Sequence, residues 1–177
     1  MANTIEKLKN DLNNIPNLEV INNKSDIKRL SRDFYNYSPV LQKKLNGCLA
    51  DVVVRPKNIE SLLAISKICW ELSIPLTIRG GGTGNYGQAV PLAKGIVLQM
   101  TYFNKLEKYY PDSGFVKVQS GCLMGDLNRE LGKYGRELRL FPSTWKTASI
   151  GGFIAGGSGG IGSIKWGFLR DPGNLIG

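Results

Sequence analysis

Nine residues, Arg79-Gly80-Gly81-Gly82-Thr83-Gly84-Asn85-Tyr86-Gly87, narrow the possible folds more than any other part of the sequence. Glycine tolerates positive φ and leaves the backbone uncovered, so the run marks a loop where the backbone itself is the working surface. It comes directly after a short apolar segment, residues 76–78, that reads as a strand. Successive amides in such a loop can converge on one anion, the commonest backbone device for holding a phosphate or diphosphate. Taken alone, the run reads equally as a flexible surface loop. Residues 82–87 fit the G-x-G-x-x-G spacing of a dinucleotide fold, but that fingerprint opens a helix with its third glycine. The segment after Gly87 carries Pro91 and no apolar periodicity. A Walker loop fails as well, since Gly132-Lys133 is succeeded by Tyr134 rather than Ser or Thr.

The surroundings of the loop supply a fold. Asp51-Val52-Val53-Val54 reads as a buried strand because three β-branched residues in a row favour extended geometry. Arg55-Pro56 is expected to turn the chain, and Asn58 to cap a helix over residues 59–73 with Leu62, Leu63, Ile65, Ile68, Cys69 and Leu72 on its apolar face. Pro75 closes it, and the strand at residues 76–78 completes a βαβ unit with parallel strands. The glycine loop leaves from the carboxyl end of that strand, where α/β sheets place their ligands. A further strand is expected at residues 95–101. Upstream, Ile5, Leu8, Leu12 and Ile15 predict a helix capped by Asn3 or Thr4, and then a strand at residues 18–21. Ile27, Leu30, Phe34 and Tyr37 predict one helix stopping before Ser38-Pro39. This opening part reads as an adaptor layer with no chemistry of its own.

Downstream, residues 106–110 and 115–119 flank Pro111-Asp112-Ser113-Gly114 as a hairpin. Met124, Leu127, Leu131 and Tyr134 mark a helix ending at Gly135, and residues 138–141 read as extended. A second glycine-rich stretch, residues 142–162, contains Ser149, which can cap a short helix whose amides at Ile150, Gly151 and Gly152 are expected to be free. Two glycine-rich turns that can each present amides suit a long ligand with a diphosphate in its middle. The predicted class is α+β, with a helical layer at residues 1–48, a small parallel βαβ subdomain at residues 49–105, and a mixed or antiparallel one at residues 106–177.

The net charge of +9 suggests an anionic partner, yet basic residues are interleaved with acidic ones and form no nucleic-acid motif. Nucleic acid is therefore not expected. Histidine is absent, which removes imidazole acid–base chemistry, a Ser-His-Asp triad and a His-rich metal site from this sequence. Cys48, Cys69 and Cys122 lack metal-ligand spacing and are odd in number, so buried reduced thiols are expected and no metal. With no apolar run of about 20 residues and no signal-peptide core, a cytoplasmic location and no transmembrane segment are expected.

Several stretches together resemble one flavoprotein family. They are Val54-Arg55-Pro56; Pro75-Leu76-Thr77-Ile78-Arg79-Gly80-Gly81-Gly82-Thr83-Gly84; Val118-Gln119-Ser120-Gly121; Pro142-Ser143; Ser149-Ile150-Gly151-Gly152; and Trp166-Gly167-Phe168-Leu169-Arg170-Asp171. In order and spacing they resemble the FAD-binding domain of the vanillyl-alcohol oxidase and p-cresol methylhydroxylase family, nearest to its glycolate and D-lactate dehydrogenase branch. The resemblance implies a p-cresol-methylhydroxylase-type FAD domain and oxidation of an alcohol or 2-hydroxy acid by hydride transfer to FAD, with a small-molecule substrate and an electron acceptor not named by the sequence. It implies that Arg79, Gly80, Gly81, Gly82, Thr83, Gly84, Asn85 and Gln88 surround the FAD diphosphate. Pro142, Ser143, Thr147, Ser149, Gly151 and Gly152 would line the ribityl and isoalloxazine side, and Gly157, Ser158, Gly159, Gly162 and Ser163 would complete the pocket. Members with covalent flavin use a histidine in the first glycine loop. None stands here, so the FAD is expected to be noncovalent, and Cys122 is not expected to replace that link. Ser158 stands where asparagine or alanine is frequent, and Pro172 where members continue into a strand. Ending in the apolar run at residues 175–177, the chain reads as an amino-terminal piece, inactive alone, with catalytic residues beyond Gly177. The same fold also serves UDP-sugar reductases, and the charge alone would suit a noncatalytic anion-binding or nucleic-acid-binding module.

Overall fold

Val52, Val53 and Val54 form the buried centre of a sheet in the first of two units into which the chain divides after Tyr102. The structure, a computed structural model, describes residues 2–171; expectations at Pro172 and residues 175–177, and for the side chains of Ile5 and Tyr37, fall outside the described residues. The first unit contains α1 (Ala2–Asn13), β1 (Leu18–Ile21), α2 (Lys24–Leu30), α3 (Pro39–Leu45), β2 (Val52–Pro56), α4 (Ile59–Glu71), β3 (Leu76–Arg79) and β4 (Ile96–Gln99). Strand order is β1-β2-β4-β3. β2 and β3 both run parallel to β4, which lies between them, while β1 pairs antiparallel with β2.

Side chains alternate across a strand, and this divides the sheet's apolar residues between two cores. Val52, Val54, Ile96 and Leu98 pack with Leu8 and Leu12 of α1 and with Ile65 and Cys69 of α4. Val53 and Val97 point the other way, to Ile21, Ala50 and Leu30. Burial on both faces is why these strands read as unbroken apolar runs rather than as alternation. Each fully buried Val, Leu or Ile contributes roughly 1.5–3 kcal/mol.

The helix boundaries show which sequence signals acted. Asn58 and Ser61 form a reciprocal capping box at the start of α4, with the Asn58 side chain accepting from the Ser61 amide at 2.9 Å. Leu63, expected in its apolar face, is exposed. Asn3 and Thr4 lie inside α1, which begins at Ala2, and not at a cap. Arg55 and Pro56 are no turn but the last residues of β2: Pro56 pairs with Leu18, and Arg55 donates to Gln99 Oε1 at 2.7 Å and to Glu19 at 2.8 Å. The ladder to β4 covers only Val52, Val53 and Val54, so the proline's missing N–H costs no bond there.

The single helix expected from Ile27 to Tyr37 is broken. After α2 the Asp33 carboxylate accepts from the Tyr35 amide at 2.9 Å, and a 3-10 turn, Tyr35–Tyr37, comes next. Ser38 then caps α3, accepting from the Leu41 amide, with Pro39 in its first turn. Ser38-Pro39 is therefore a helix start, not a stop, since proline at the first helical position needs no intrahelical donor.

The second unit contains β5 (Leu106–Tyr110), β6 (Phe115–Val118), α5 (Met124–Gly132), α6 (Ile150–Gly156) and α7 (Ser163–Trp166). β5 and β6 form the expected antiparallel hairpin, with an irregular register between Leu106 and Lys108. Met124, Leu127 and Leu131 of α5 pack with Cys122, Leu138, Leu140, Ala148, Ile150, Phe153 and Leu169. Past α5 the chain stays in turn conformation to Gly135, which takes φ +64°, and the Arg136 amide bonds back to the Leu131 carbonyl at 3.1 Å. Residues 138–141, expected as a strand, contribute only one bridge, Phe141 with Ile161.

Candidate functional site

In the first unit, the loop leaves the carboxyl end of β3 with Arg79 as its last strand residue. The Arg79 side chain turns inward: the residue is 8% exposed, and Nη1 donates to the Arg32 carbonyl at 2.6 Å. Burial pulls its pKa down from the ordinary value; the Asp33 charge opposes that shift and Arg29 adds to it. A guanidinium does not deprotonate in a protein, so Arg79 is a buried cation. It occupies the space a side chain at position 82 would need. A Cβ on Gly82 would collide with the guanidinium, and Gly82 takes φ +68° besides.

Residues 32–35 lie against the same loop. The Phe34 amide donates to the Gly84 carbonyl at 2.8 Å, and Asp33 Oδ1 is held by the Tyr35 amide. Arg32 Nε, Asp33 Oδ2 and the Tyr35 hydroxyl are buried with no hydrogen-bond partner among the described residues. On the loop itself, Gln88 Oε1 accepts from the Tyr86 amide at 3.0 Å. Among the described residues, no acceptor is bonded to the amides of Gly80, Gly82, Thr83, Gly84 or Asn85. Backbone donors left available in a tight glycine turn over a buried cation are what an anion site requires. The segment around Asp33 escaped the sequence reading because its polar residues lie inside what reads as an amphipathic helix. Its one local signal is an Asp two residues before a backbone donor, a turn former by its own side chain.

In the second unit, Pro142, Ser143 and Thr147 lie in a turn that precedes α6. The Trp145 amide bonds the Pro142 carbonyl at 3.0 Å, and the Thr147 and Ala148 amides both bond the Thr144 carbonyl at 2.9 Å. Ser149 is buried and caps α6, its hydroxyl accepting from the Gly152 amide at 3.3 Å. The amides expected to be free are not. Ile150 N–H donates to the Cys122 carbonyl and Gly151 N–H to the Ser120 carbonyl, each at 2.9 Å. Gly151 is glycine because a Cβ there would lie 2.7 Å from the Ser120 carbonyl oxygen. Close approach of the Ser120 backbone sets that position.

Gly157 closes α6 in the left-handed conformation, Ser158 and Gly159 come after it, and Gly162 at φ +96° precedes α7. Ser163 Oγ donates to the Gly160 carbonyl at 2.9 Å. The Phe141–Ile161 bridge brings the turn at Pro142 beside this segment. Cys122 is buried there, its thiol pushed up by burial and then by Asp126 and Glu130, which makes it a poor nucleophile at neutral pH. Cys69 is likewise buried and raised, while Cys48 is only partly buried. Among the described residues there is no cluster of three or more metal-ligating side chains, and no helix is long and apolar enough to cross a membrane.

Comparison with known proteins shows what the chain is similar to. Residues 50–172 match the family described as FAD binding domain. The chain is 36% identical over 121 residues to D-lactate dehydrogenase of Anaerostipes hadrus, covering 68% of this chain and 25% of that protein. It is 38% identical over 120 residues to D-lactate dehydrogenase of Archaeoglobus fulgidus, covering 68% and 27%. It is also 30% identical over 156 residues to glycolate oxidase subunit GlcD of Escherichia coli K12, covering 86% and 29%. The chain thus spans between a quarter and a third of the length of these relatives. Among solved structures it resembles alkyldihydroxyacetonephosphate synthase, with a TM-score of 0.78 at 19% identity over 97% of this chain and 35% of that one. It also resembles p-cresol methylhydroxylase, with a TM-score of 0.66 at 19% identity over 86% and 28%. With a family match across more than half its length, the chain belongs to the FAD binding domain family.

Proposed function

We propose that this chain is the FAD-holding part of a flavin-dependent oxidoreductase that oxidises a 2-hydroxy acid. The observation that carries the reading is the turn at residues 80–85, whose amides at positions 80 and 82–85 have no acceptor among the described residues while a buried cation stands behind them. Gly80, Gly81, Gly82, Thr83, Gly84 and Asn85 hold the FAD diphosphate, with Gln88 bracing the turn through the Tyr86 amide. In the second unit, Pro142, Ser143, Thr147, Gly157, Ser158, Gly159, Gly162 and Ser163 receive the ribityl and ring side. Ser149, Gly151 and Gly152 lend that region small, close-packed surface, because the amides of the two glycines are already engaged.

When bound, FAD supplies the two-electron acceptor for oxidation of a hydroxyl-bearing carbon. The work of this chain's residues is to bind and orient. The loop amides meet the diphosphate charge, and Arg79 keeps positive charge behind them. With no histidine in the sequence, a substrate's hydroxyl proton has no imidazole here to receive it. The same absence, with Cys122 buried and its thiol raised, supports noncovalent attachment. D-lactate and glycolate are the substrates suggested by the named relatives. The test is to add FAD to the purified protein, record the flavin spectrum, and precipitate with acid. The expected result is a bound flavin spectrum with all flavin released to the supernatant. Flavin retained in the pellet contradicts noncovalent attachment, and absence of FAD binding contradicts the whole reading.

A further inference from the structure

The family match begins at residue 50, yet the floor of the glycine loop is built from residues 32–35, well before it. Two bonds join the parts: Arg79 Nη1 to the Arg32 carbonyl, and the Phe34 amide to the Gly84 carbonyl. Asp33 is 6% exposed, and its Oδ2 has no hydrogen-bond partner among the described residues. Among the described residues no salt bridge is made by Arg79, so the guanidinium has a carbonyl partner and the nearby counter-charge of Asp33 but no paired carboxylate there. Arg29, from just before the same segment, adds a positive charge that acts on Arg79. On its other side the guanidinium fills the volume that a Cβ at position 82 would take, so the curve of the turn and the place of the charge depend on each other.

Resting on the reading that this turn holds the FAD diphosphate, we propose that Arg79 is a positioning residue. Anchored on the Arg32 carbonyl, its buried guanidinium fixes the turn so that the unbonded amides of residues 82–85 stay grouped, and it adds positive charge behind them. The segment before the matched domain is then part of the binding machinery and not an inert layer. Arg79 does its work through the backbone of the turn, and residues 32–35 do theirs through Arg79 and Gly84.

The test compares the full chain with Arg79→Met, which removes charge at similar volume, and Arg79→Lys, which keeps it. FAD, ADP and riboflavin are titrated against each, and the melting temperature of the ligand-free protein is recorded. Losing a buried charge that serves an anion weakens its binding by about tenfold or more. Arg79→Met is expected to lose that factor for both FAD and ADP, which carry the diphosphate, and to change riboflavin affinity by less than about twofold. Arg79→Lys is expected to recover most of the loss, because the charge term survives without the planar fork. An Arg79→Met protein that binds FAD and ADP as the wild type does overturns the proposal. So does a loss of equal size for riboflavin, which marks a general structural role, even if the melting temperature falls. Where the Met variant does not fold, the neutral Arg79→Gln takes its place: selective weakening for FAD and ADP over riboflavin supports the proposal, and uniform weakening or wild-type binding overturns it. If wild-type protein binds riboflavin but neither FAD nor ADP, the diphosphate reading itself has failed, and this inference with it.

Discussion

Gly151 is a glycine whose small size has a structural reason on its own. Its amide and its missing side chain both serve contact with the Ser120 backbone. Gly151→Ala is therefore expected to destabilise the fold by about 1–3 kcal/mol through overpacking, seen as a lower urea midpoint with little change in affinity for FAD. Gly82→Ala is expected to act in the opposite sense, weakening FAD by a larger factor than it lowers stability, because the new methyl group meets the Arg79 guanidinium under the turn. The thiols give a pH prediction. Folding raises the pKa of Cys122 and Cys69, so the folded state holds those protons more tightly than the unfolded one. Their contribution to stability is complete below the unfolded thiol pKa of about 8.5 and is lost as pH rises through the folded values. Urea midpoints measured from pH 7 upward should fall in the alkaline range, and Cys122→Ala should flatten the decline. An unchanged slope in that variant would show that another group is responsible.

Among the elements, α4 was legible because its start carries a local chemical signature. Asn58 and Ser61 satisfy each other's backbone donors, and Asn58→Ala should cost about 1 kcal/mol, read as a shift in urea midpoint without a change in slope. The buried strands β2 and β4 and the β5–β6 hairpin were legible for similar reasons: β-branched runs, and a Pro-Asp-Ser-Gly turn whose Gly114 amide closes on the Tyr110 carbonyl. The region between α2 and α3 was not. Apolar residues continue at helical spacing from Ile27 to Tyr37, but Asp33 bonds a nearby amide and breaks the helix, and Ser38-Pro39 starts another. Periodicity reports which side chains face a core, and cannot report that a carboxylate has captured a backbone donor. The amides expected to be free in the second glycine stretch were misread for a related reason. Its cap at Ser149 was visible in the sequence, while the partners of its amides, Ser120 and Cys122, are brought there only by tertiary packing.

For the molecule as a whole, the two units each carry a core of their own, and family membership rests on residues from both. Binding that favours the folded state raises stability by mass action, so FAD at a hundredfold excess over its Kd should add about 2.7 kcal/mol, seen as a higher melting temperature. The charge of +9 sharpens this, since affinity for an anionic ligand should fall as salt rises. The central claim is that the backbone amides of the first glycine turn receive a diphosphate, and amide-resolved NMR during ADP titration tests it most directly. Saturable shifts are expected to concentrate at Gly80, Gly82, Thr83, Gly84 and Asn85, with the amides of Ile150, Gly151 and Gly152 nearly unmoved. Saturable ADP binding that leaves the residue 80–85 amides unshifted would contradict it.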